Sequence, residues 1–193
     1  MNGKLKGYNL YGWQLDDRLS TDENFMDLCM IVTRSSKLKQ GSMACILVNE
    51  PEGPKDAIDV NDAIISVANN MPLYGKNDSD IHAEIAAIGA ACRNGQATEN
   101  CTAYVTMPPC KRCFAALTVA GIRKIVTRHN PSPKIRETAM ENNIEYITIS
   151  NHAEQMARIN TLVNGNAPRN KRKNHDTTDT TFDDAKKKIS MCN

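Results

Sequence analysis

No stretch of the 193-residue chain approaches the roughly 18 consecutive apolar residues that a membrane span needs. A membrane partner is therefore not expected. The segment Met1–Phe25 has no apolar core and carries several acids, so no secretory or transit peptide is expected either. The expected location is the cytoplasm or the nucleus. The cysteine count is seven, an odd number, in a chain without an export signal. That argues against a disulfide scaffold and for a reducing compartment. No internal repeat is evident at solenoid periods. A marked net charge is also missing: the formal value is +2. The chain is 40% hydrophobic and 24% charged, which suits one globular domain of about 150 residues plus flanking segments.

The small net charge hides an asymmetry. Residues 166–193 hold 7 Lys/Arg and 4 Asp/Glu, net +3; residues 1–165 hold 17 and 18, net −1. The reading that follows is an N-terminal arm over 1–19, a near-neutral domain over 20–165 and a basic, disordered tail over 166–193. The tail's default role is solubilising or localising, and it also offers phosphate contacts to RNA.

Ser20-Thr21-Asp22-Glu23 reads as a capping box opening a helix to about Ser35. Met43–Val48 and Ala63–Ala68 read as the strands of a hairpin, joined through the turn residues Asn49–Pro54. A polar loop follows from Asn69 to Ile81. His82–Ala91 is a helix of small residues, suited to close packing on a sheet. Strands are expected at Thr102–Thr106, Arg123–Thr127 and Ile144–Ile149. Helices lie between and after them: Cys110–Ala120, ended by Gly121, then Ser132–Asn142 and Asn151–Val163, with Asn151 and Glu154 as a cap pair. Strands that alternate with crossover helices predict an α/β fold whose mixed sheet is covered on both faces.

Cys29, Cys45 and Cys92 lie in apolar stretches and read as small buried hydrophobes. Cys110 and Cys113 differ: they form a C-x-x-C after Pro108-Pro109, a spacing that admits a redox pair or a metal half-site. His82-Ala83-Glu84 opens one helix and Pro109-Cys110-Lys111-Arg112-Cys113 opens the next. In a βαβα layout both helix starts emerge on the same side of the sheet. One imidazole and two thiolates can converge there on zinc, with a fourth position left for water. Helix N-termini favour thiolates. Glu84 is better placed as a neighbour of that water than as a ligand, where it can take and pass on a proton.

The pattern H-x-E with P-C-x-x-C resembles the cytidine/deoxycytidylate deaminase superfamily, zinc-dependent nucleobase deaminases that include cytosine, guanine and tRNA adenosine deaminases. The likeness covers about residues 23–150 and includes HAEIAAI, TAYVTMPPCKRC and AGIRKIV. It implies a three-layer α/β/α fold with a five-stranded sheet. It implies zinc on His82, Cys110 and Cys113, and Glu84 as the catalytic proton shuttle. The Ala83 N–H would help hold the base. An Asn after the second hairpin strand would bind the sugar or base edge; Asn69 and Asn70 both sit there, and Asn69 is preferred. The family is usually oligomeric, which points to a homo-oligomer, or a hetero-oligomer for a tRNA-acting enzyme.

Asn-Met-Pro after the hairpin and AGIRKIV look like deoxycytidylate deaminases, so a cytosine-type nucleotide or nucleoside is the preferred substrate. The short approach Gly75–His82 looks more like the tRNA adenosine, cytosine or guanine enzymes. A reading from another class is a non-catalytic zinc-stabilised scaffold or RNA-binding subunit; intact Glu84 argues against it. A purely structural zinc site would need a fourth Cys or His, and none is obvious. A second His-Ala-Glu at 152–154 has no P-C-x-x-C after it and reads as structural. Lys111, Arg112, Arg128 and His129 read by default as solvated or loop residues, with phosphate contact as the alternative.

Overall fold

The computed structural model describes residues 5, 7–38, 41–49, 59–76 and 78–165. The basic tail and most of the hairpin turn lie outside the described residues.

Helix α1 (Thr21–Thr33) starts with the capping box that the sequence implies. Ser20 accepts from the Glu23 N–H, and Glu23 reaches back to the Ser20 N–H. Strand β1 (Ala44–Val48) and strand β2 (Ile64–Asn69) pair antiparallel. The first residue of the expected second strand, Ala63, instead ends a short helical turn, α2 (Val60–Ala63), which Asp59 caps by accepting from the Asn61 N–H. Helix α3 (Ala83–Arg93), strand β3 (Thr102–Val105), helix α4 (Lys111–Val119), strand β4 (Lys124–Thr127), helix α5 (Pro133–Glu141), strand β5 (Glu145–Thr148) and helix α6 (His152–Gly165) complete the chain. The sheet order is β2-β1-β3-β4-β5, with β1 antiparallel to both neighbours and β3, β4 and β5 parallel.

Register sorts the strand residues into two rows. Val67, Ile46, Tyr104, Val126 and Ile147 are cross-strand partners, and all lie against the core that includes α1 and α6. Leu47, Ala103, Ile125 and Tyr146 form the opposite row, against α3, α4 and α5. The result is three layers. A register shift between Leu47 and Val48 sets Ile65 and Ser66 against Leu47, which is a β-bulge.

Cys29 and Cys45 are buried, but Cys92 is exposed near the end of α3, against the expectation for an apolar stretch. Asn151 is also redirected: its amide donates to Glu23 of α1 and so ties the start of α6 to the α1 capping box. The same two helices meet at Asp27, whose carboxylate accepts from Gln155 and Arg158. In the N-terminal arm, Leu5 and Trp13 are buried against the α1 core.

The α4 side chain Leu117 is fully buried against the sheet. Leu117→Ala should lower the unfolding free energy by about 3 kcal/mol in urea titration. An unchanged midpoint would mean that α4 is not anchored through this residue.

Candidate active site

The functional residues come from helix starts at one edge of the sheet. His82 is the N-cap of α3 and Cys110 the N-cap of α4, with Cys113 one turn further in. Cys110 Sγ accepts from the Cys113 N–H at 3.5 Å, a sulfur-based helix cap. The strands feeding these helices lie either side of β1, and Cys45 of β1 is the cross-strand partner of both Ala68 and Val105. That pairing brings the end of β2 and the end of β3 to the same edge.

His82 Nδ1 lies 3.3 Å from Cys113 Sγ and 3.8 Å from Cys110 Sγ. A tetrahedral zinc with bonds of about 2.3 Å to sulfur and about 2.1 Å to nitrogen holds such ligands about 3.6 Å apart. One nitrogen and two sulfurs at this spacing fit zinc, and they form a metal-competent cluster among the described residues. The facing nitrogen is Nδ1.

Glu84 is 5% exposed, at the second residue of α3. Burial raises its carboxyl pKa above the ordinary value, while the nearby His82 works the other way. Burial also pushes the Cys113 thiol up, and the Glu84 carboxylate adds to this. A cation at the cluster reverses both effects, since it favours the ionised form of each group.

Beside the cluster is a cavity of 190 Å³, lined by Met43, Asn70, Ser79, His82, Ala83, Glu84, Val105, Met107, Pro108 and Cys110. His82, Ala83, Glu84 and Cys110 thus share one cavity with apolar walls, and Cys113 faces His82 at its margin. Ala83 is the first residue of α3, so its N–H has no partner within the helix.

The structure does not bring Asn69 there. Asn69 pairs with Ala44 on the α1 side of the sheet, and its amide donates to the Val32 and Met43 carbonyls. It borders a separate groove with Tyr8 and Lys37. Asn70 is the asparagine that lines the cavity. Ser79, Met43 and Met107 also line it, and the sequence carries no signal for them: Ser79 is one of several polar residues in a loop.

Lys111 and Arg112 are exposed on the first turn of α4. Arg128 is half-buried and His129 exposed, after β4. The second His-Ala-Glu is part of the scaffold, for His152 Nε2 bonds the Arg128 and Ile149 carbonyls at the start of α6.

Residues 19–129 match the model for the cytidine and deoxycytidylate deaminase zinc-binding region. The chain belongs to this family. It is 48% identical to the deoxycytidylate deaminase of Enterobacteria phage T2 over 48 residues, 25% of this chain and 26% of the phage protein. It is 41% identical to the tRNA-specific adenosine deaminase of Aquifex aeolicus over 78 residues, 39% of this chain and 51% of that protein. These matches span from a quarter to about half of the relatives' lengths. Among solved structures, the apo dCMP deaminase of cyanophage S-TIM5 superposes with a TM-score of 0.54 over 70% of this chain and 100% of that one, at 16% identity. The fold is thus that of the deaminases, and the family's zinc-binding region includes the His-Cys-Cys cluster. No helix among the described residues is long and apolar enough to cross a membrane.

His82→Ala or Cys113→Ala should abolish stoichiometric zinc in the purified protein, measured by elemental analysis. His152→Ala should retain it. Equal zinc in all three variants would place the metal elsewhere.

Proposed function

We propose that the protein is a zinc-dependent hydrolytic deaminase that converts a cytosine-type nucleotide or nucleoside to the uracil form, with release of ammonia. The observation that carries this reading is the placement of Glu84, a buried carboxylate in the same cavity as the His82–Cys110–Cys113 cluster. A purely structural metal site has no use for such an acid.

His82, Cys110 and Cys113 would hold the zinc. Three protein ligands leave a position open, and the metal supplies a nucleophilic water by lowering its pKa. The chain's own residues do the rest. Glu84 takes the proton from the water and delivers it to the ring nitrogen next to the amino-bearing carbon. It then takes the remaining proton of the added water and passes it to the amine, so that the C–N bond breaks, ammonia leaves and the oxygen stays on the ring carbon. The raised carboxyl pKa suits a group that must both accept and return protons. The free N–H of Ala83 donates to the base, and Val105, Met107 and Pro108 supply apolar walls that limit water.

Support for a cytosine-type substrate comes from Asn70-Met71-Pro72 and from the phage deoxycytidylate deaminases among the relatives. A second reading, the catalytic subunit of a tRNA adenosine-to-inosine deaminase, is favoured by the Aquifex aeolicus relative and by the basic residues after Gly165.

Ammonia release should be measured over dCMP, CMP, cytidine, cytosine, guanine and a tRNA anticodon stem. Turnover of the cytosine nucleotides is expected; turnover of the tRNA stem alone would transfer the assignment to the second reading. Glu84→Gln should keep its zinc and lose at least about 10²-fold in kcat. Persistent deamination by a zinc-loaded Glu84→Gln protein would overturn the mechanism.

A further inference from the structure

A groove of 370 Å³, separate from the catalytic cavity, runs between α4 and α5. Helix α4 lines it with positions 111, 114, 115, 118 and 119. That is the i, i+3, i+4, i+7, i+8 spacing of a helix face that meets a partner. Phe114 and Ile135 are buried at its base, but Ala115 is exposed and Val119 is 89% exposed. A single exposed valine needs no explanation. This one continues an apolar floor formed by Phe114, Ala115 and Ile135.

The charges in the groove are of one sign. Lys111 and Lys134 both line it, each in the first turn of its helix. Neither helix has an acid in that turn. A cation there opposes the helix dipole, so each lysine is placed where it costs helix stability. Lys134 has Glu137 at 3.0 Å, an exposed pair. No acid lines the groove itself among the described residues. The complement is an apolar anchor with a carboxylate beside it.

The chain carries such a segment. All four acids after Gly165 fall within Asp176–Asp184, a stretch without lysine or arginine. Phe182 lies among them and is followed directly by Asp183 and Asp184. The segment lies outside the described residues. Sixteen residues separate Gly165 from Phe182, an extended reach of roughly 55 Å. A domain of this size is about 40 Å across, so the groove is within reach. The tether also raises the local concentration of the segment to millimolar levels.

We propose that residues 181–184 of the same chain dock in the α4–α5 groove, with Phe182 on the apolar floor and Asp184 against Lys111 and Lys134. From Lys111 to Val119 the α4 face is about 12 Å long, which accommodates about four extended residues. Residues two apart in an extended segment share one side, so the ring and the Asp184 carboxylate can face the groove together.

The test uses the full, zinc-loaded chain with the photo-reactive p-benzoylphenylalanine in place of Phe182. After irradiation the products are sized on a denaturing gel and the crosslinked peptides are identified by mass spectrometry. The expected product is a monomer, crosslinked from position 182 to the peptides that hold Phe114, Val119 or Ile135. Val119→Asp puts a carboxylate on the apolar floor and should lower that yield about tenfold. Lys134→Glu should lower it about fivefold, and adding Asp184→Lys should restore it. Both positions are exposed, so zinc content should stay at the wild-type level.

Crosslinks from position 182 to another surface of the monomer overturn the proposal, as does the absence of any crosslink. A dimeric product joined at the groove makes this face an interface between copies and overturns it too. Undiminished yield in Val119→Asp, or a charge swap that restores nothing, has the same force.

Discussion

The site depends on one close approach. The starts of α3 and α4 must come near enough for His82 Nδ1 to sit 3.3 Å from Cys113 Sγ. Side chains between a helix and the sheet set how near the helix can lie. In α3 the buried apolar positions are Ala83, Ala86, Ala87 and Ala91. With only Cβ atoms between backbone and sheet, α3 sits low over β1 and β2 and reaches α4 alongside. Larger residues there would lift the helix and separate the nitrogen from the sulfurs. The alanines also favour the helix itself. One residue choice thus serves local conformation, packing and site geometry together.

The same approach places acids together where charge is disfavoured. Glu84 and Cys113 are both buried, which makes each harder to ionise, and the Glu84 carboxylate makes ionisation of the Cys113 thiol harder still. The two helix N-termini that start at this spot add partial positive charge. That is a fraction of one charge, set against a thiolate pair and a carboxylate. A divalent cation is the natural complement, because it is the one partner that stabilises all three groups at once. Metal affinity and the charge of Glu84 are consequently coupled in this site: a cation that ionises the ligands also favours the Glu84 carboxylate.

Most of the fold was legible because its signals are local. The Ser20–Glu23 capping box, Ser132-Pro133 before α5 and Gly121 after α4, at φ +79°, each concern a few neighbouring residues. The metal ligands were legible for a similar reason, since C-x-x-C fixes one helical turn and His82 opens the next helix back. The choice between Asn69 and Asn70 was not. Successive strand residues face opposite ways, so the choice is one of parity. Parity must be counted from a known point, and two features of β2 defeat the count. Its residues Ile64 to Ala68 are all buried, so no polar alternation marks a face. The bulge at Ile65 also shifts the phase by one. The cap pair assigned to α6 failed for another reason: Asn151 finds Glu23, 128 residues away in sequence, and no local pattern announces such a partner.

The cavity lining comes from two kinds of segment. The zinc ligands and Glu84 belong to helices seated on the sheet, whereas Ser79 belongs to a loop pinned at Met71 and Ile81. Between those pins the backbone has few obligations to the core: Leu73 and Tyr74 are exposed, and Asp80 satisfies the loop's own N–H groups. A change within the loop can therefore reshape the cavity wall at Ser79 without moving His82, which lies beyond the second pin. Asn70 is the exception. It stands before the first pin, is buried, and is bonded to Met43 and Gly41 on the approach to β1 as well as to Ser79. Its side chain thus links the core to the loop. A substitution of Asn70 would therefore disturb the approach to β1 and the loop together.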